Sequence, residues 1–335
     1  MQPFPTLSPF VTRLLSDNNF ELLQVMRYGP RFACLEVRAG NRTGLLKLVL
    51  PDAERIYFTP KNYVWTDDDQ TAVLEARLLK ETLFLQFFSQ EFGPGGFEPE
   101  LIALSEQSPV WSLRTYINEP SMSAWDSSFV FRKDFYNQVQ PQQVVRFFHG
   151  LHQLSSKLPE PLRRLAIDYV PLTLSGRFKE AAVIARAQPK FRDYAAQIST
   201  SLERSRPAYQ AFERVITHYE PYSCHLFVVR GRIALIDWEN VGWGHPLHDL
   251  SIFWMRMIDN AAWRDEFEAQ IDARGYFRGS GRLFWDNELM MQSLANLNHL
   301  HYGGQFGTPA FTKRAIAFFE ATIQRLLNES PYFKA

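Results

Sequence analysis

The chain has 335 residues, enough to bury a large core and to form one two-lobed unit or two domains. Its 36 Lys+Arg balance 36 Asp+Glu, so no net basic field directs it to nucleic acid or to an anionic membrane surface. The two cysteines, Cys34 and Cys224, exclude a disulfide framework, and no apolar run approaches the roughly 20 residues that span a bilayer. The opening Met-Gln-Pro-Phe-Pro-Thr lacks the basic and apolar regions of a secretory leader, so the expected location is the cytoplasm.

In chain order, residues 10–15 predict a short helix, and 20–28 and 31–38 predict two strands joined at Gly29-Pro30. After the turn cluster at 39–44, residues 45–50 read as a third strand, apolar except for Lys47. Residues 51–70, with Pro51 and an Asp67-Asp-Asp run, read as an exposed insertion. Over 70–88 the spacing becomes helical, with Val73, Leu74, Leu78, Leu79, Leu83 and Phe87 on one broad stripe. Gly93-Pro94-Gly95-Gly96 breaks that helix, and 101–104 and 110–117 predict two further strands. Helical patterns then fill 142–158, much of 159–212 and 247–327, interrupted at Gly275, Gly279 and Gly303-Gly304. The order predicts an α+β protein: a small lobe over 1–118 with an antiparallel sheet and one helix, and a mainly helical lobe over 119–335.

The stretch 214–251 organises the rest. Residues 226–229 and 233–236 are short apolar runs flanking Arg230-Gly231-Arg232, a tight hairpin with Gly231 in the turn. The second run ends on Asp237, followed by Trp238-Glu239 and the glycines Gly242 and Gly244. A carboxylate closing an apolar strand needs a metal ion or a basic neighbour, because an unpaired buried charge is costly.

Ile236-Asp237-Trp238-Glu239, Gly244, Pro246 and Asp249-Leu250 fit, at matching spacing, the segment I-D-W-E-x-x-x-x-G-x-P-x-x-D-L of the aminoglycoside phosphotransferase and choline kinase-like family, which this chain resembles. The resemblance implies a bilobal protein-kinase-like fold and transfer of the ATP γ-phosphoryl group to a small-molecule hydroxyl. It implies Lys47 at the α- and β-phosphates, a helix glutamate pairing with that lysine, and Asp237 on Mg²⁺. For the glutamate, Glu75 is preferred over Glu81. Gly29 would lie in the turn over the nucleotide, and Tyr116 and Asn118 at the hinge would meet the adenine edge. Asp249 would brace the catalytic loop.

That loop departs from the family. Where the family has H-G-D-x-x-x-x-N, this chain has His218-Tyr219-Glu220 and, at the last position, His225. Glu220 keeps the carboxylate of the catalytic base but lengthens it by a methylene, and a displacement of about 1 Å can cost on the order of a hundredfold in rate. His225 at a metal position suits Mn²⁺ or Zn²⁺ better than Mg²⁺. Two readings follow: a phosphotransferase with altered loop chemistry, catalytic at Glu220 and His218, or a pseudokinase that holds a nucleotide, another ligand or a protein partner without transfer. A zinc cluster at His218, Glu220, Cys224 and His225 is disfavoured, since adjacent strand residues point to opposite faces. An aromatic cage of Trp238, Trp243 and Trp254 is weighed against core packing, which is the commoner fate of tryptophan.

Overall fold

The computed structural model describes residues 7–29, 31–58, 64–93, 95–124, 130–302, 304 and 306–334. The opening hexapeptide, Pro30, Pro94 and Gly303, each used in the sequence reading, lie outside the described residues. The chain divides into two compact units, 1–119 with 236–239, and 120–235 with 240–335.

The first unit is built on an antiparallel sheet. In chain order it contains α1 (Pro9–Asp17), β1 (Phe20–Tyr28), β2 (Ala33–Ala39), β3 (Arg42–Leu48), α2 (Asp52–Phe58), α3 (Thr71–Phe92), β4 (Leu101–Ser105) and β5 (Trp111–Thr115). The strand order is β1-β2-β3-β5-β4. Strand alternation sorts the side chains by face. Leu35, Val37, Leu46, Leu48 and Leu113 join Val11 and Leu14 of α1 in one apolar core. Cys34, Lys47 and Ser112, which are cross-strand partners, therefore share the opposite face, and α3 packs against β4 and β5. The described part of 51–70 is mostly exposed, as expected, with two buried exceptions, Arg55 and Asp69. Asp52–Phe58 is helical, and Arg55 and Asp69 are both only 2% exposed. Arg55 donates to the Asp69 carbonyl and pairs with Asp52, while Arg31 reaches the Asp69 carboxylate at 2.8 Å. These partners make the burial of the two charges possible, and composition does not reveal them.

The second unit is mainly helical. It contains α4 (Phe135–Gln138), α5 (Pro141–Gln153), α6 (Glu160–Leu165), β6 (Ile167–Asp168), α7 (Tyr169–Leu172), α8 (Phe178–Ala187), α9 (Ala195–Ala211), β7 (Val215–Thr217), β8 (Leu226–Val229), β9 (Arg232–Leu235), β10 (Gly242–Gly244), α10 (Leu247–Arg256), α11 (Ala261–Ala273), α12 (Gly281–His301) and α13 (Pro309–Glu329). Helix α12 packs against α8, α10 and α13, and α11 packs on α5. Strands β8 and β9 form the expected hairpin, turning through Arg230 (φ 52°) and Gly231 (φ 75°). A second small sheet orders β6-β10-β7. Gly242 is required there, because an added Cβ would lie 2.3 Å from the Ile167 carbonyl oxygen and 2.5 Å from the Tyr169 ring. Strand β7 delivers the chain to His218 and β10 delivers it to α10, which carries Asp249. No described helix is long and apolar enough to cross a membrane.

Candidate active site

In the sheet unit, Lys47 is 7% exposed, and its Nζ lies 2.6 Å from Glu81 Oε2 and 3.7 Å from Asp237 Oδ1. The other Glu81 oxygen accepts from Arg114 at 2.6 Å, so one buried carboxylate spans two buried cations. Burial alone would raise the Glu81 pKa. Lys47 and Arg114 overcome it and pull the carboxyl down to about 2. Lys47 is likewise held charged: desolvation works against the ammonium, and Glu81 followed by Asp237 raises its pKa. The Phe32 ring lies 4.4 Å from the Lys47 ammonium, and Gly29 closes the same turn by donating to the Phe32 carbonyl.

The pairing of Lys47 with Glu75 is therefore corrected to Glu81. Glu75 instead accepts from the Ser108 hydroxyl at 2.8 Å and the Val110 amide at 3.1 Å. The reason is helical phase. Glu81 sits seven and three residues after Leu74 and Leu78, and four and seven before Leu85 and Phe88, all fully buried. Six residues of rotation carry Glu75 to another face.

Asp237 has a left-handed backbone (φ 69°), sparsely populated by non-glycine residues. The next residue anchors it: Trp238 is fully buried, with ring centroids 4.7 Å from Phe88 and 5.6 Å from Phe97. The conformation turns the carboxylate toward Lys47 while the indole fills the aromatic cluster at the end of α3. Tyr116 and Asn118 follow β5 directly, and the Tyr116 hydroxyl approaches Met26 Sδ at 3.9 Å.

In the helical unit, the loop after β7 is held from α10. Asp249, fully buried, accepts from the His218 amide at 2.7 Å and the Tyr219 amide at 2.9 Å. Desolvation pushes the Asp249 pKa up to about 6, against the opposing pull of His248 and of those two amides. Tyr219, where the family has glycine, keeps a left-handed backbone (φ 74°). Its ring is sandwiched between Tyr169 (centroids 3.4 Å) and His248 (4.5 Å). His218 is fully buried, and its Nδ1 accepts the Glu220 amide at 3.3 Å. The Glu220 carboxylate accepts from Asn240 Nδ2 at 2.8 Å. His225 Nδ1 lies 3.0 Å from the Glu220 carbonyl oxygen, which can only accept, so Nδ1 is the donor in that contact.

Sequence reasoning missed Arg114, Asn240 and the buried group Arg177–Glu288–His248. Glu288 accepts from Arg177 at 3.0 and 3.1 Å and lies 3.0 Å from His248 Nδ1. Burial opposes the Glu288 charge, yet Arg177 and His248 hold its carboxyl well below the usual range. Among the described residues no group of three or more His, Cys, Asp or Glu side chains is placed to hold a metal ion. The tryptophans have separate partners: Trp238 in the α3 cluster, Trp243 donating to the Arg163 carbonyl, and Trp254 against Trp285 and Phe318.

Comparison with known proteins agrees with this fold. No curated protein sequence matches the chain. Among solved structures, the ADP-bound aminoglycoside phosphotransferase APH(2'')-Ib aligns with a TM-score of 0.54 at 12% identity, over 96% of this chain and 99% of its own. A choline/ethanolamine kinase family protein from Mesorhizobium loti aligns with a TM-score of 0.52 at 18% identity, over 96% and 92%. A thermostable mutant of aminoglycoside phosphotransferase APH(4)-Ia, in ternary complex with AMP-PNP and hygromycin B, gives 0.53 at 12%, over 94% and 99%. At such identities the likeness establishes the bilobal kinase-like fold. The family model described as phosphotransferase enzyme family matches residues 61–284, and the chain belongs to that family.

Proposed function

We propose that the protein is an ATP-dependent phosphotransferase acting on a small-molecule hydroxyl. The observation that carries this reading is Lys47, held charged between Glu81 and Asp237 on the sheet face opposite the α1 core. A fixed ammonium so placed meets the α- and β-phosphates of a nucleotide. Gly29 in the turn, and Tyr116 and Asn118 after β5, would contribute backbone contacts to phosphate and adenine.

The Asp237 carboxylate, a hard oxygen donor with a third of its side-chain surface exposed, fits Mg²⁺, which is commonly held by one or two carboxylates and the phosphates themselves. Bound Mg²⁺ neutralises charge on the triphosphate. His225, at the second metal position that the family resemblance implies, would favour Mn²⁺. Glu220 orients the acceptor: the hydroxyl oxygen bonds to the γ-phosphorus while the bond to the β–γ bridging oxygen breaks. ADP leaves with that electron pair, and the hydroxyl proton passes to the Glu220 carboxylate. Asp249 and His218 hold the loop in place for this step. With free thiols at Cys34 and Cys224, we place the protein in the cytoplasm.

The second reading, a nucleotide-binding module without transfer that serves a ligand or protein partner, is favoured by Asn240, whose amide occupies one oxygen of Glu220. The test is ATP turnover with Mg²⁺ and with Mn²⁺ across a panel of hydroxyl acceptors, alongside nucleotide-dependent thermal stabilisation. Phosphorylation abolished by Asp237→Ala and cut at least about tenfold by Glu220→Gln, in line with a general base worth about 10²–10⁴, supports the first reading. ATP stabilisation without turnover supports the second, and neither effect removes both.

A further inference from the structure

The helical unit contains a cavity of about 220 Å³ whose floor is a buried arginine, Arg256, only 5% exposed at the C-terminal end of α10. Its Nη1 lies 3.4 Å from Asn296 Oδ1, and its guanidinium packs over the rings of Tyr222 (5.3 Å) and Phe306 (5.9 Å). Tyr222 belongs to the candidate catalytic loop, and its amide donates to the Glu220 carbonyl at 2.7 Å. Arg256 thus connects that loop to the cavity. Desolvation, the largest effect, pulls its pKa to about 10, against the opposing influence of Tyr222 and Cys224.

The remaining lining supports one kind of occupant. Lys133 stands at the rim and is exposed. Asn260 spends its Oδ1 capping α11 at the Trp263 amide, which leaves the Nδ2 protons as the donors it can offer. The same residue starts a 13-residue helix with no acid in its first turn, a position where an anion is favoured. The acid on the wall, Asp259, is engaged by Arg314 through two contacts of 3.1 Å. Val130, Phe131 and Phe311 supply apolar surface. A ligand entering this space meets two cations, an amide donor and apolar walls, at a volume below the roughly 300–1,000 Å³ of sites for drug-sized molecules. Neither this cavity nor a roomier one of about 880 Å³, lined by His149, His152 and Tyr276, includes a residue of 218–225; the smaller one reaches that loop through the Arg256 guanidinium, 5.3 Å from the Tyr222 ring.

We propose that the cavity over Arg256 is the acceptor subsite and that it selects a small hydroxylated molecule with an apolar body and an anionic head group, carboxylate or phosphate. Arg256 and Lys133 bind the head group and Asn260 fixes its orientation, while cationic acceptors are repelled. This assignment rests on the phosphotransferase reading for the word acceptor, but the site itself is testable without nucleotide.

The experiment is calorimetric binding to the full chain, with no ATP or metal, of four matched probes: 4-hydroxyphenylacetate, phenyl phosphate, 4-hydroxyphenylacetamide and tyramine. At least one anion is expected to saturate at millimolar concentration or below, with the amide and the amine weaker by about tenfold or more, a discrimination of about 1.4 kcal/mol. The tighter of the two anions identifies the head group. Lys133→Glu, on the surface and safe for folding, should weaken the anion several-fold and leave the amide unchanged. Arg256→Gln should remove the anion preference. Equal binding of amide or amine, no anion binding by 10 mM, or an anion preference indifferent to Lys133→Glu would each overturn the assignment. Turnover assays are separate, so an inactive enzyme that binds the anions leaves this proposal standing and removes only the catalytic one.

Discussion

Glu81 carries more of the sheet unit's electrostatics than any other carboxylate near Lys47. Two cations, each under a tenth exposed, depend on its two oxygens. Removing one partner of a buried ion pair costs about 3–5 kcal/mol, because the remaining charge stays desolvated. Glu81→Gln should therefore lower stability by at least that lower bound, whereas Glu75→Gln should cost under about 1 kcal/mol, the scale of one neutral hydrogen bond. Urea denaturation of the two variants at pH 7 checks this, and similar losses would contradict the assignment of Glu81. The motif Ile236-Asp237-Trp238-Glu239 was readable from spacing alone because strand end, aromatic anchor and turn are local. The glutamate was not, because two candidates on one helix are separated only by which face meets the sheet, a tertiary choice. A usable signal existed: Glu81 interrupts the stripe Leu74, Leu78, Leu85, Phe88, and a charge inside a buried stripe needs a buried partner.

Loops and turns show where residue type and backbone conformation disagree. The 218–220 loop takes a left-handed turn at Tyr219, where an L-residue costs about 1–2 kcal/mol relative to the right-handed form. Stacking on Tyr169 and His248 returns roughly 0.5–1.5 kcal/mol per aromatic contact beyond the area buried, so the ring and the strain nearly offset before burial is counted. Tyr219→Gly relieves the strain but empties the sandwich, and burial then decides: a net loss of about 1–3 kcal/mol is expected, the range for a truncated, partly buried ring. A gain in stability on thermal unfolding would show that strain dominates. The β8–β9 hairpin makes the converse case. Both turn residues have positive φ, and Arg230 is the poor fit. Arg230→Asn creates the Asn-Gly pair that this turn type favours, and should raise stability by up to about 1 kcal/mol. The hairpin was legible because Gly231 announces it; the left-handed Tyr219 was not, because nothing in its side chain requires that conformation.

At the scale of the whole molecule, buried titratable groups set an acid limit on stability. His152 and His245 are each 7% exposed, and burial, their largest effect, lowers both pKa values to about 3 from an ordinary 6.5. Between those values the unfolded chain binds two protons that the folded chain refuses. Stability from this pair is complete above pH 6.5 and falls as pH drops toward 3. Asp249 acts in the opposite sense: its pKa is raised from 3.8 to about 6, so the folded chain binds one extra proton between those values. Among these three groups, two protons against one leave a net uptake of about one on unfolding, a slope of about 1.4 kcal/mol per pH unit through that window, which Glu239 and Asp286, both raised by burial, reduce. Glu81 and Glu288, both lowered, steepen the fall once pH passes below about 4.5, the ordinary glutamate value. Urea midpoints at pH 7.5, 6.5, 5.5 and 4.5 should therefore decline steadily on acidification below 6.5. His245→Asn keeps an acceptor for the Leu247 amide, which His245 Nδ1 now receives at 3.1 Å, and removes one of the two refused protons. Its midpoints should flatten between pH 6 and 5, where the remaining histidine and Asp249 cancel. A wild-type curve already flat over that interval, or one rising toward acid, would mean that these imidazoles reach solvent in the folded state.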